Sequence, residues 1–280
     1  ASTTNGLTTN NGFSFAYTSG IEDWSGKIDF DYMLNPNHLV KFGLGDIYHT
    51  FSPGVNQFTL TSANTTALDS VFGSQIHYAH EISAYVEDEF KIGNKIKGNA
   101  GIHYSKFLIG LNRNTLTPIT SLILNNTSYS SIQPRFSIRY LLTENASFKA
   151  SYSSMTQFLH LLTNSGIGLP TDLWLPATEL VKPQFSNQFA AGIAKTFLNK
   201  FEVSIEGYYK TMENLIEYKD GASFFNTDQD WQTKIYAGRG WSYGGEFLIE
   251  KKVGKTTGWI GYTLSWSNRQ FDSINFGNQF

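Results

Sequence analysis

The feature that most constrains this chain is the spacing between its strand-like runs. Segments with period-two hydrophobicity recur near 6–19, 23–34, 38–51, 75–92, 95–111, 128–142, 146–157, 185–197, 200–218, 234–252 and 255–270. The gaps between them fall into two classes. The tight ones are Asn35-Pro36-Asn37, Gly93-Asn94, Thr143-Glu144-Asn145, Leu198-Asn199 and Val253-Gly254, all of hairpin turn chemistry. The long ones cover 52–74, 112–127, 158–184 and 219–233, with a shorter member at Gly20-Ile21-Glu22-Asp23. Tight and long gaps alternate along the whole chain. An antiparallel up-and-down sheet places successive connections at opposite ends, so every tight turn falls on one rim and every long loop on the other. The predicted fold is all-β, an up-and-down sheet of about 11 long strands, with the short-turn and long-loop rims of a transmembrane barrel segment.

The two faces of the runs sharpen this. In 76–92 the even positions include Ile76, Tyr78, Ile82, Val86 and Phe90, while Glu81, Ser83, Glu87, Glu89 and Lys91 are odd. In 128–142 Ile132, Phe136, Ile138, Tyr140 and Leu142 oppose Gln133, Arg135, Ser137 and Arg139. In 201–209 Phe201, Val203, Ile205 and Tyr209 oppose Glu202, Ser204 and Glu206. Across the clearest runs every charge sits on the polar face except Asp88, Lys106, Lys195 and Lys251. All of these but Lys106 are close to a tight turn. A charge at the bilayer midplane costs about 2 to 4 kcal/mol, so lipid would impose this sorting. The apolar face also carries aromatics at two heights. Tyr32, Phe90, Tyr140 and Phe197 lie near the tight turns, and Tyr104, Tyr152, Tyr209 and Tyr243 lie about one membrane crossing further along.

A soluble β-sandwich also alternates, but its strands average about 5 to 6 residues. The runs here are much longer. Composition agrees with a sheet, with 15% aromatic and only 16% charged residues. The slightly negative mean hydropathy excludes no barrel, because every second residue of a spanning strand is free to be polar. No cysteine is present, which excludes thiolate metal sites, disulfides and cysteine nucleophiles, and a net charge of -2 predicts no nucleic-acid footprint. The chain opens on Ala1-Ser2-Thr3-Thr4 without an initiator Met or signal segment and closes on Asn278-Gln279-Phe280, so both ends read as cut.

From Tyr129 onward the sequence resembles the barrel of TonB-dependent outer-membrane receptors of the Bacteroidetes type, those with a carboxypeptidase-regulatory-like domain ahead of the plug. The stretches that carry the likeness are Ile132-Gln133-Pro134-Arg135-Phe136-Ser137-Ile138-Arg139-Tyr140, Gly168-Leu169-Pro170-Thr171-Asp172-Leu173-Trp174-Leu175-Pro176-Ala177-Thr178 and Glu206-Gly207-Tyr208-Tyr209-Lys210. Gly240-Trp241-Ser242-Tyr243-Gly244-Gly245-Glu246 and Thr256-Thr257-Gly258-Trp259-Ile260-Gly261-Tyr262-Thr263-Leu264-Ser265-Trp266 extend it. The resemblance implies a 22-stranded barrel around a plug, so residues 1–280 would form a single partial barrel domain, about half the wall, with the plug and its TonB box absent. It further implies a bacterial outer-membrane location, contact with lipid, coupling to the TonB complex through the absent plug, and a possible surface lipoprotein lid.

Little points to covalent chemistry. His77, His80 and Glu81 are close in sequence, but a strand sends His80 to the face opposite His77 and Glu81, so no metal site is expected. Asp220, Asp228 and Asp230 share a loop without calcium-loop spacing, and Gly238-Arg239-Gly240 with Gly244-Gly245 suggests close backbone packing or a bulge rather than a phosphate cradle. No nucleophile motif or acid/base pair is recognisable, so neither an enzyme nor a cofactor is expected. The long loops offer binding instead. Loop 158–184 carries His160, Asp172 and Trp174, and loop 219–233 carries Phe224, Phe225 and Trp231, aromatic platforms that suit a glycan, a peptide or a metal chelate unless the rings merely pack loop on loop. The expected role is a barrel wall of an energy-coupled importer of a scarce nutrient. The alternatives are a surface β-sandwich adhesin or glycan-binding module and a passive porin.

Overall fold

A computed structural model of the chain describes residues 2–4, 7–9, 12–62, 65–73, 76–110, 127–162, 173–219, 222 and 231–280. Eleven antiparallel strands form one sheet: β1 Gly12–Asn35, β2 His38–Ser62, β3 Thr65–Gly73, β4 His77–Ile92, β5 Ile96–Ile109, β6 Ser128–Thr143, β7 Ala146–Gln157, β8 Gln184–Phe197, β9 Phe201–Tyr218, β10 Ile235–Lys251 and β11 Gly258–Gln270. Ten of them follow one another as an unbroken meander, and the short β3 pairs beside the upper part of β2. The sheet is open, an arc of barrel wall with β1 and β11 at its edges. Lipid could not hydrate those edges.

The tight turns stand where the sequence puts them. Leu198 and Asn199 both take φ of 52°, the left-handed pair of a type I′ hairpin. The Asn37 amide donates to the Asn35 side chain, and the Asn145 amide donates to the Thr143 hydroxyl. Two features of the first quarter differ from expectation. Segments 6–19 and 23–34 are not two strands, because β1 runs straight through Gly20-Ile21-Glu22-Asp23, and 52–74 is not an open loop but the top of β2 returning as β3. Both have one cause. Thr18 pairs with Val55 and Gly20 with Ser52, so Pro53 and Gly54 bulge opposite Ser19, a place where a strand tolerates proline and alternation slips by a residue.

One face of the sheet is an exposed apolar surface that includes Ile28, Leu44, Ile132, Ile205 and Ile260, each at least 60% exposed. Water does not support a patch of that extent on a monomer, whereas lipid requires it. A single cross-strand row runs the full width of the arc: Tyr32, Val40, Asp88, Ala100, Phe136, Tyr152, Phe189, Tyr209, Tyr243 and Trp266. It starts near the tight turn after β1 and climbs away from the tight turns towards β11, as tilted, staggered strands must. The row therefore joins the lower aromatic height to the upper one. Its rings touch, with centroids 4.6 Å apart for Tyr152 and Phe189 and 5.3 Å for Tyr243 and Trp266.

Two histidine–aspartate hydrogen bonds bracket the apolar band on this face. His38 Nδ1 lies 2.7 Å from Asp88 near the tight turns, and His80 Nδ1 lies 2.9 Å from Asp46 further up. Between them stand Val40, Phe42 and Leu44 of β2 and Ile82, Ala84 and Val86 of β4. From His38 to Asp46 the strand rises about 26 Å, or roughly 20 Å of membrane depth at the usual tilt. That is somewhat less than the ~25 Å apolar belt of such walls, so the two pairs sit just inside its borders. The exceptional Asp88 thus sits at the boundary, hydrogen-bonded to a histidine.

The glycine-rich run in β10 is a zone of close approach. A Cβ at Gly238 would lie 2.3 Å from the Phe271 ring and 2.5 Å from the Gln270 carbonyl, and one at Gly244 would lie 2.7 Å from the Leu264 carbonyl. The neighbouring strand bulges between Glu213 and Leu215, with Asn214 in the left-handed region.

Candidate functional site

At the long-loop rim the inner face changes character. Below the rim it is polar: the buried His49 donates from Nδ1 to Asp23 at 2.7 Å and lies 3.6 Å from Glu81, while Gln133 donates to Ser105 at 2.7 Å. Near the ends of the strands it turns apolar, through Phe51 of β2, Ala79 of β4 and Phe107 and Ile109 of β5. That apolar shelf receives a loop. Phe158 stacks on Phe107 with ring centroids 5.0 Å apart, and Ala177 completes the cluster, with Ile21, Tyr129 and Leu159 packed against it.

The loop between β7 and β8 is itself a two-stranded ribbon, Leu159–Leu162 against Leu173–Pro176. One of its faces carries His160, Leu162, Leu173 and Leu175 inward; the other carries Leu161 opposite Trp174. A second apolar cluster locks the ribbon to the far side of the arc. Leu162, Leu173, Leu175 and Val181 meet Ile216 of β9 and Trp231 of the short 3-10 turn Trp231–Lys234, with Tyr17 of β1, Tyr218 and Ile235 packed around them. The ribbon thus crosses the concave side of the sheet, from β1 and β2 to β9. Polar contacts fix its return: Tyr129 donates to the Thr178 carbonyl at 2.6 Å, Thr178 is paired with Gln232, and Asn214 donates to the Pro183 carbonyl at 2.8 Å.

The sequence-predicted binding residues fare differently in this setting. Trp174 is 38% exposed on the open face of the ribbon. His160 is fully buried and Trp231 is 6% exposed, and both hold the ribbon down. Asp172, Phe224 and Phe225 lie outside the described residues, as do Asp220, Asp228 and Asp230. His80 and Glu81 face opposite sides of the sheet, one towards Asp46 and the other towards His49. Sequence reasoning missed Phe107, Tyr129 and Gln184 as supports of the site. The available signal was the polar face itself, which turns apolar at Phe107 and Ile109 just before a long gap.

His160 makes the docking pH-sensitive. Gln184 donates to its Nδ1 at 3.1 Å, which leaves the neutral ring as the form that fits. Burial pushes the imidazole down from 6.5 to about 4, opposed only in part by the Lys182 backbone. Above about pH 6.5 both docked and released rings are neutral, and docking carries no penalty. As the pH falls from there towards 4 the released ring takes a proton that the docked ring refuses, so docking weakens progressively, by up to roughly 3 kcal/mol. Amide exchange of residues 159–162 and 173–176, corrected for intrinsic rates, is expected to show less protection at pH 5 than at pH 7.5. A His160→Phe variant should lose that difference.

All 280 residues match the family model described as TonB dependent receptor-like, beta-barrel. No curated protein matches the sequence. Among solved structures, the FrpB iron transporter from Neisseria meningitidis (F3-3 variant) is similar over 92% of this chain and 37% of its own, with a TM-score of 0.59 at 12% identity. The pyoverdine outer membrane receptor FpvA from Pseudomonas aeruginosa PAO1 is similar over 95% of this chain and 38% of its own, with a TM-score of 0.59 at 15% identity. The RagAB peptide transporter is similar over 96% of this chain and 32% of its own, with a TM-score of 0.57 at 10% identity. At such identities the likeness is one of fold, and the chain spans well under half the length of each. Lipid-facing rings outside, polar side chains inside and a full-length family match agree: this chain belongs to the TonB-dependent receptor β-barrel family, whose place is the bacterial outer membrane.

Proposed function

We propose that this chain forms part of the wall and outer mouth of an energy-coupled importer, in which the inward-folded ribbon presents Trp174 to an incoming nutrient. The observation that carries the reading is the ribbon itself, anchored by two apolar clusters while keeping one aromatic ring turned outward. A rigidly held ring supplies contact area at little entropic cost, which is what capture of a dilute ligand needs. A glycan, a peptide or a metal chelate fits that chemistry. Similar structures include iron, copper and peptide transporters and a pyoverdine receptor. The wall performs no covalent chemistry in this reading. Energy arrives from TonB through a plug carried by the rest of the receptor, and a surface lipoprotein lid, as the Bacteroidetes resemblance implies, closes over the mouth.

Trp174→Ala in the complete receptor is expected to lower ligand binding about tenfold, while Trp266→Ala, on the lipid face, leaves it unchanged. Equal binding by both variants would refute the assignment of Trp174. Uptake that persists undiminished without TonB would instead favour the passive porin.

A further inference from the structure

The inner face near the tight turns carries a charge arrangement that the outer mouth does not use. Four cations stand in one cross-strand row: Lys91 of β4 opposite Lys97 of β5, Lys97 opposite Arg139 of β6, and Arg139 opposite Lys149 of β7. Like charges directly opposite one another destabilise a sheet. Other cations of the wall have acidic partners, Lys27 with Asp29 at 3.0 Å, Lys41 with Glu89 at 2.5 Å and Lys252 with Glu202 at 2.5 Å. Among the described residues no ion pair reaches any of the four cations in the row.

The row also has a shape. Lys97, Arg139 and Lys149 line a concavity of about 400 Å³ together with the neutral side chains of Asn99, Ser137 and Ser151. Two acids border it. Glu89 is held by Lys41, and Glu206 stands beyond Gly192, two strands from Lys149. The volume suits a small organic molecule. The donors present are a guanidinium fork, two ammonium groups, an amide and two hydroxyls, which together match oxygens that carry negative charge.

We propose that this concavity is a binding site for a multiply charged anion bearing carboxylate or phosphate groups. Arg139 grips two oxygens of one group through its fork, Lys97 and Lys149 neutralise the flanking charge, and Asn99, Ser137 and Ser151 orient the remainder. The site lies towards the opposite rim from Trp174 and does not depend on what the mouth captures.

Calorimetric titration of the complete receptor in non-ionic detergent tests it, with citrate as the carboxylate probe and inorganic pyrophosphate as the phosphate probe. Saturable binding of at least one is expected, weakened by added sodium chloride. The tighter of the two identifies the class. Arg139→Gln should weaken binding about tenfold, Arg139→Lys should weaken it less, and the Lys97→Gln, Arg139→Gln, Lys149→Gln triple variant should abolish it. Lys27→Gln, an inner-face cation outside the row, should leave it unchanged. No saturable heat with either probe overturns the proposal. So does wild-type affinity in a triple variant that keeps its β-sheet circular dichroism. Loss of nutrient capture by Trp174→Ala with anion binding intact bears on the mouth alone.

Discussion

Leu44→Arg is expected to remove about 2 to 4 kcal/mol from the stability of the barrel, while Ser83→Arg, at nearly the same height on the other face, should change it by less than about 1 kcal/mol. Leu44 is 66% exposed and stands midway between the His38–Asp88 and His80–Asp46 pairs, where hydrocarbon is deepest. Its cross-strand neighbours Ile28 and Ala84 offer no oxygen to a guanidinium. Ser83 faces Gly45 across the inner surface, among Lys27, Tyr85 and Glu87. There an added cation remains hydrated. Urea unfolding of the complete receptor in vesicles measures both. Equal losses at the two positions, or none at Leu44, contradict a lipid-facing outer surface.

Phe158→Ala should weaken docking of the ribbon by about 3 to 5 kcal/mol, with little effect on the strands beneath. The Phe158 ring is almost fully buried, lies parallel to Phe107, and joins clusters contributed by β1, β2, β4, β5 and β6. Removing it leaves a void that the stiff sheet cannot fill, because those backbones are fixed by their ladders. The ribbon is the part free to respond. Exchange of its amides is expected to rise towards that of an undocked hairpin, and Phe158→Leu should restore much of the protection. Ligand capture at Trp174 should fall in parallel. Protection unchanged by Phe158→Ala would show that the second cluster around Trp231 holds the ribbon alone.

The sequence made the wall legible and left the mouth obscure, for physical reasons. Facing lipid on one side and polar groups on the other imposes period-two sorting along every spanning strand, so Ile82, Val86, Ile132 and Phe136 declare their face locally. The hairpin at Leu198 and Asn199 is equally local. The bulge at Pro53 and Gly54 is not, because it depends on which residue of β1 stands opposite, and so it reads as a loop. The mouth depends on still longer reach. His160 and Trp231 look like exposed loop residues in sequence, and only the meeting of β5, β9 and the ribbon buries them. The basic row has the same character: Lys91, Lys97, Arg139 and Lys149 are unremarkable singly, and register alone brings them side by side.

The central claim is that this sheet is a membrane wall with an apolar lipid face and a polar inner face. The chain has no cysteine, so single cysteines placed in turn from Ile82 to Asp88 in the complete receptor can each carry a spin label in lipid vesicles. Labels at positions 82, 84 and 86 are expected to be accessible to oxygen and shielded from an aqueous nickel complex, and labels at 83, 85 and 87 to show the reverse. Accessibility to the nickel complex at the even positions, or no period of two, contradicts it.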